Sequence, residues 1–209
     1  MAVMRAGETL SSEAFKRCAE FHGHICPGLA IGFKAAQALM ARLGVTKAPD
    51  EELVAIVETD ACGTDAIQVV TGCTFGKGNL ILKNYGKQAF SLADRRQAKV
   101  FRACLRSDAM ARDPAHIALF EKVRKGQANA EEMERFQQLR ERRVQEILEA
   151  DATALFAIEE IQPDLPSQAR IAESAACDMC GEPTMVDLLC DREGQRVCIP
   201  CAQRAVRVN

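Results

Sequence analysis

Apolar side chains at Leu29, Phe33, Ala36, Met40 and Leu43 recur at helical spacing and stop at Gly44. Pro27 suits a first helical turn, so the pattern predicts a helix over residues 27–43 with Cys26 at its N-terminus. Residues 11–20 predict a shorter helix, N-capped by Ser11 or Ser12, that runs into the loop FHGHICPG. The β-branched run LVAIVET predicts a strand over 53–59. A turn through residues 60–64 then leads to a short helix, DAIQVVT, ended by Gly72.

Beyond the GCTFGKGN loop the pattern becomes strand-like at NLILKNY, QAFSLAD and AKVFRACL, the last two divided by a charged turn at Arg95 and Arg96. These three predict an antiparallel meander. Residues 107–150 read as a helical insertion: Asp113-Pro114 opens one helix, and Asn129 with Glu132 three residues on forms a capping-box pattern opening another. On that second helix Met133, Phe136, Val144 and Ile147 make a narrow apolar seam in a charged surface, a pattern suited to packing against a partner subunit. LFAIEEIQ predicts one more strand, and PDLPSQAR a linker. The expected fold is α+β: an antiparallel sheet with flanking helices, a helical insertion and a small C-terminal four-cysteine zinc module. At 209 residues the chain has room for one core domain and a small appendage, and nothing in it demands a third.

Charge changes the picture little. Lys and Arg number 27 against 29 Asp and Glu, so no basic footprint points to a polyanion, and nucleic acid is not the expected partner. No apolar run approaches the roughly 18 residues of a membrane span. Ten cysteines suit either disulfides or metal, but MAVMRAGETLSSEAF has no signal-like apolar segment, so reduced thiols in the cytoplasm are expected.

The cysteines fall into two constellations. Cys177/Cys180 and Cys198/Cys201 form CxxC, a gap of 17 residues and CxxC, with a β-hairpin expected in the gap (MVDLLCD, REG, QRVCI). Each CxxC brings two thiolates to one ion, so this spacing predicts a closed structural zinc site. The second constellation is His22, His24, Cys26, Cys62 and Cys73, with Asp60 and Asp65 beside it. Cys26 and Cys62 both stand where a helix begins, where the dipole and free N–H groups stabilise a thiolate as ligand or nucleophile. Asp65 and Gln68 share a helix face and are placed to orient a histidine ligand, while Lys77 in GKGN is placed to meet an anion. A mixed sulfur and nitrogen set admits zinc, nickel, iron or copper(I). Cys18, Cys104 and Cys190 lie within regular helix or strand patterns and are expected to be packing residues.

FHGHICPGLAIGFKAA, ETDACGTDAIQVVTGCTFGKGNL and NYGKQAF together resemble the FmdE (formylmethanofuran dehydrogenase) family over roughly residues 15–106. The charged helices and the C-terminal CxxC module resemble its longer, zinc-ribbon-bearing members. The resemblance implies an FmdE-like domain over 1–165, including a helical hairpin at about 107–150, and a zinc-ribbon or treble-clef-like module over 170–209. It implies a cleft carrying a metal, zinc, nickel or iron, with His22, His24, Cys26, Cys62 and Cys73 as ligands and Asp65, Gln68, Lys77 and Asn79 as cofactor-binding positions. A homodimer, and association with a molybdenum or tungsten formylmethanofuran dehydrogenase, are implied as well. The chain itself has no dinucleotide fold and no iron–sulfur spacing, so an accessory role in metal or cofactor handling is the first expectation. The alternative is a stand-alone enzyme whose open Cys/His site holds a metal, or in which Cys26 or Cys62 is nucleophile and His24 base. A zinc-finger regulator is the third, weakened by the slightly acidic module.

Overall fold

The computed structural model describes residues 12–110, 114–162, 165–168 and 172–204. Ser11, Asp113 and part of the expected linker, residues 163–164 and 169–170, lie outside them. The chain divides into two compact units, residues 1–168 and 169–209.

The first unit is built around one greasy helix. Helix α1 (Glu13–His22) is capped by Ser12, whose hydroxyl accepts from the Phe15 N–H at 3.3 Å, and it buries Phe15 and Cys18. Helix α2 (Pro27–Leu43) buries Leu29, Ala30, Ile31, Phe33, Ala35, Ala36 and Leu39. Such all-round burial marks a central helix with neighbours on every side. Those neighbours are α1, helix α3 (Gly63–Thr71), one face of a sheet, and the long helix over Ala130–Glu149.

The sheet holds β1 (Leu53–Val57), β2 (Leu80–Leu82), β3 (Ala89–Asp94), β4 (Lys99–Leu105) and β5 (Phe156–Ile161), in the order β2-β1-β3-β4-β5. Strands β1, β3, β4 and β5 pair antiparallel, and period-2 alternation sends Leu53, Ala55, Val57, Phe90, Leu92 and Ala103 to the helical side. The predicted three-strand meander needs correcting at its first member: β2 pairs parallel with β1, Ala55 opposite Leu80, and sits at the sheet edge. The reason is the connection. A strand returning through helix α3 re-enters parallel, which a hairpin cannot do. On the other face Val54, Ala93 and Val100 pack with Ile81, Ile161 and Leu165. Further along that face Arg102 grips Glu58, Nε to Oε1 at 2.6 Å and Nη2 to Oε2 at 3.0 Å.

Helices α4 (Pro114–Arg124) and α5 (Ala130–Glu149) form the insertion. The capping box is present: Asn129 accepts from the Glu132 N–H at 2.8 Å and Glu132 accepts from the Asn129 N–H at 3.1 Å. The seam splits in two. Val144 and Ile147 are buried against the core, whereas Met133 is 47 % exposed and the Phe136 ring lies 6.2 Å from that of Phe120 of α4. A one-turn helix α6 (Ala152–Leu155) leads into β5.

The second unit consists of hairpin β6 (Ser174–Ala176) with β7 (Pro183–Met185), hairpin β8 (Leu189–Arg192) with β9 (Gln195–Cys198), and helix α7 (Ile199–Arg204). Its core is small: Cys177, Val197, Cys198 and Cys201, joined by Leu189 and Ala202. Among the described residues no helix is long and apolar enough to cross a membrane.

Candidate metal centre

Two groups of metal-ligating side chains converge among the described residues, one in each unit. In the first unit the convergence begins with glycine. Gly23, at φ +86°, ends α1 in the left-handed region and turns the chain back so that His22 and His24 flank the same space. Two residues on, Cys26 is the N-cap of α2, and its Sγ accepts from the Leu29 N–H at 3.4 Å. One potential ligand atom from each of His22, His24 and Cys26 lies within 4.8 Å of the others.

Cys62 arrives from the other helix. It is the residue before α3, and its thiol and that of Cys26 both lie beside Gly28, although Cys62 falls outside the 4.8 Å group of His22, His24 and Cys26. Burial, then the Cys26 thiol, pushes the Cys62 thiol up from its ordinary range. Gly28 makes room, since a β-carbon there would stand 3.2 Å from the Cys62 β-carbon.

His22 is held in one orientation. Its Nδ1 lies 2.7 Å from Asp65 Oδ2, and Gln68 Nε2 donates to Asp65 Oδ1 at 3.3 Å. A carboxylate oxygen accepts, so Nδ1 is the donor, and in the neutral ring Nε2 is then the nitrogen with a free lone pair. That Nε2 stands 3.8 Å from Cys26 Sγ, facing the cluster. This carboxylate–histidine arrangement fixes both tautomer and ring orientation. The His24 ring lies 4.4 Å from that of His22, and limited burial, then the neighbouring His22 ring and the Arg140 guanidinium, lowers its pKa. A neutral imidazole is the form that ligates.

Not all the expected residues meet. Cys73 is fully buried beside Thr71, and burial raises its thiol pKa, as for a small core residue. Asn79 is also fully buried, with its amide spent on backbone: Oδ1 accepts from the Thr74 N–H at 2.9 Å, and Nδ2 donates to the carbonyls of Leu53 and Asp50 at 2.9 and 3.3 Å. It holds the 72–79 loop in shape. Lys77 donates to the Asp50 carbonyl at 3.4 Å, and Asp60 is exposed. A residue the sequence did not single out is Arg140 of α5, which donates to the Ile25 carbonyl at 2.7 Å and so fastens the loop that carries His24. Its only sequence signal was a basic side chain on the seam face of α5.

In the second unit Cys177, Cys180, Cys198 and Cys201 place four Sγ atoms within 4.8 Å of one another. The Cys198 N–H donates to Cys177 Sγ at 3.2 Å, and N–H groups of Cys198 and Cys180 bring the Cys177 pKa down to about 6. Cys201, facing the Cys198 thiol, is pushed up to about 12. Four sulfurs so close, without a cation, resist becoming thiolates together; a divalent ion removes that conflict. Cys18 is buried and Cys104 half-buried, in line with packing roles, but Cys190 is exposed on β8 because its side chain falls on the outer face of a two-stranded hairpin.

The family described as "FmdE, Molybdenum formylmethanofuran dehydrogenase operon" matches residues 21–157. The chain belongs to the FmdE family. A protein of Archaeoglobus fulgidus, described as a probable S-adenosyl-L-methionine-binding protein, is 32 % identical over 193 residues. That alignment takes in 89 % of this chain and 51 % of the relative, so the chain spans about half the relative's length. A solved structure from Syntrophus aciditrophicus, described as an FmdE-like protein of the tungsten formylmethanofuran dehydrogenase type, superposes with a TM-score of 0.61. It is 21 % identical and matched over 98 % of both chains, a likeness of fold.

Proposed function

We propose that this FmdE-family chain binds a transition metal at His22, His24, Cys26 and Cys62 and handles it for a molybdenum- or tungsten-dependent formylmethanofuran dehydrogenase-type oxidoreductase. The observation that carries the reading is His22: its Nδ1 is occupied by Asp65 while Nε2 faces Cys26. A histidine whose role was only to pack or to cap a backbone group would not need that carboxylate. Two thiols and two imidazoles fit zinc, nickel or iron(II) better than magnesium or calcium, which take oxygen ligands. Support for the oxidoreductase partner comes from the family's description and that of the Syntrophus relative. In this reading the terminal four-cysteine site holds structural zinc, and the chain works as a homodimer in the cytoplasm.

A second reading, a metal-dependent enzyme, is favoured by one observation. His24 is exposed and Cys62 half-exposed, so a small molecule can reach the cluster from solvent. When bound, a metal there supplies Lewis acidity to a substrate oxygen or an acidified water. The chain's own residues orient and tune: Asp65 and Gln68 fix His22, and Arg140 fixes the loop.

Elemental analysis of protein purified without added metal, beside a Cys26→Ser/Cys62→Ser variant, tests the centre. Two metals per chain in the wild type and one in the variant are expected. One metal in both would leave only the terminal site and end the reading. Exchange then separates the two uses: transfer of the first metal to a competing apo-protein favours handling, and retention with an exchangeable water favours catalysis.

A further inference from the structure

A groove of about 590 Å³ lies beside the candidate centre, lined among others by Phe21, Lys47, Pro49, Gln68, Val69 and Lys77. Its volume falls in the range of small-ligand pockets. One wall is apolar, from Val69, Pro49 and the ring of Phe21, which is 60 % exposed although it immediately precedes His22.

The other wall is cationic. Lys47 Nζ donates to the Val69 carbonyl at 3.1 Å, and Lys77 Nζ to the Asp50 carbonyl at 3.4 Å. Among the described residues neither ammonium is within ion-pair distance of a carboxylate; Glu52 is the acidic group close enough to feel Lys77. An ammonium has three donors, so each lysine keeps capacity for a ligand. Lys77 is delivered there by a stiff loop, whose Thr74 hydroxyl accepts from the Lys77 N–H at 3.4 Å and whose Thr74 N–H is held by buried Asn79.

We propose that this groove binds a small aromatic molecule bearing a doubly charged oxyanion, a phosphate monoester being the chemical class. Two ammonium groups match the roughly −2 charge of such a head at neutral pH. Phe21 and the apolar wall match a planar body, and neither half of the groove alone would hold a whole ligand. Gln68 joins this pocket to the cluster, since it also donates to Asp65, the partner of His22. As the organic-ligand pocket of the metal centre the groove depends on the metal reading above; as a binding site it stands alone.

The test is calorimetric titration of the full chain with phenyl phosphate, inorganic phosphate, phenol and benzoate, in chelator-treated and metal-replete protein. Phenyl phosphate is expected to bind at least about tenfold more tightly than each of the others. Lys77→Met and Lys47→Met should each weaken it about tenfold, and Phe21→Ala should weaken phenyl phosphate while leaving inorganic phosphate unchanged. Unchanged thermal midpoints in Lys77→Met and Phe21→Ala guard against misfolding. Wild-type affinity in both lysine variants overturns the site, inorganic phosphate equal to phenyl phosphate overturns the aromatic half, and benzoate equal to phenyl phosphate overturns the dianionic head. A failed metal reading shows as a missing N-terminal metal with phenyl phosphate still bound. A failed groove shows as the reverse.

Discussion

Gly32 of α2 lies against Gly63 of α3 so closely that a β-carbon on Gly32 would fall 2.1 Å from the Gly63 carbonyl oxygen. That contact is backbone on backbone, and it has no flexible side chain to give way. It sets how far apart the starts of the two helices stand, and therefore whether Cys26 and Cys62, which precede them, can meet. Gly32→Ala is expected to lower stability by about 3 kcal/mol through overpacking. It should also cut N-terminal metal occupancy while leaving the terminal site filled. Urea unfolding and metal content of the folded variant check both, and wild-type values in each would show that the helices tolerate separation.

Asp65 acts on the cluster through its hydrogen bond to His22 and, more weakly, by its charge on the Cys62 thiol. Asp65→Asn keeps the side chain's volume but loses the charge that fixes the Nδ1 proton, and its amide can present N–H to the ring instead. A fall in cobalt or zinc affinity of about 10- to 100-fold is expected, measured by competition with a chromophoric chelator. His22→Ala, which removes the proposed ligand itself, should cost more. An Asp65→Asn protein that binds as tightly as the wild type would make the carboxylate a helix-dipole partner and nothing further.

How much of this was legible in the sequence follows from where each residue's role is decided. Helix α2 was readable from apolar spacing between Pro27 and Gly44, β3 from an apolar run next to a charged turn, which suits a strand buried at every position, and Asn129 with Glu132 because a capping box is local. The parallel pairing of β2 was not, because three residues carry too little pattern and the direction is set by the crossover through α3. In the site, the histidine and Cys26 positions were visible from loop and helix-start chemistry. Cys73 and Asn79 have similar glycine neighbours to the residues that come together at the candidate centre, but lie apart from it. Their burial is decided by tertiary packing, which leaves no local mark. Arg140 was hidden for the same reason: its partner, Ile25, is 115 positions away.

The Glu58–Arg102 pair supplies a pH dependence with a definite sign. Two hydrogen bonds from the guanidinium, on side chains only 10 % and 20 % exposed, hold the Glu58 carboxyl below its ordinary 4.5. Between that ordinary value and the lower folded one, the unfolded chain binds the proton that the folded chain refuses, so stability rises with pH across the window. The pair's contribution is complete above about 4.5 and is lost as pH falls through the folded value. Glu58→Gln should remove about 3 kcal/mol at neutral pH, because Arg102 is left with only Glu159, which is 63 % exposed and 3.5 Å away. The variant's acid limb should also be flatter. Equal slopes for both proteins in urea unfolding below pH 4.5 would mean that other carboxylates govern the acid transition.

Among its described residues the terminal unit buries Val197 and three of its four clustered cysteines and little else, so its fold depends on what those sulfurs hold. An apolar core of that size cannot offset the chain entropy of some forty residues, whereas structural zinc contributes on the order of 10 kcal/mol to such modules. Chelation is expected to abolish amide protection at Val197 and Cys198 in hydrogen exchange while β1 of the first unit stays protected. Because zinc must displace protons, and Cys201 is pushed up to about 12 without it, refilling should release protons and slow steeply as pH is lowered. Cys177→Ser should mimic chelation even in excess zinc. Protection at Val197 that survives both treatments would show that the two hairpins hold each other without a metal, and the four-cysteine cluster would then need another explanation.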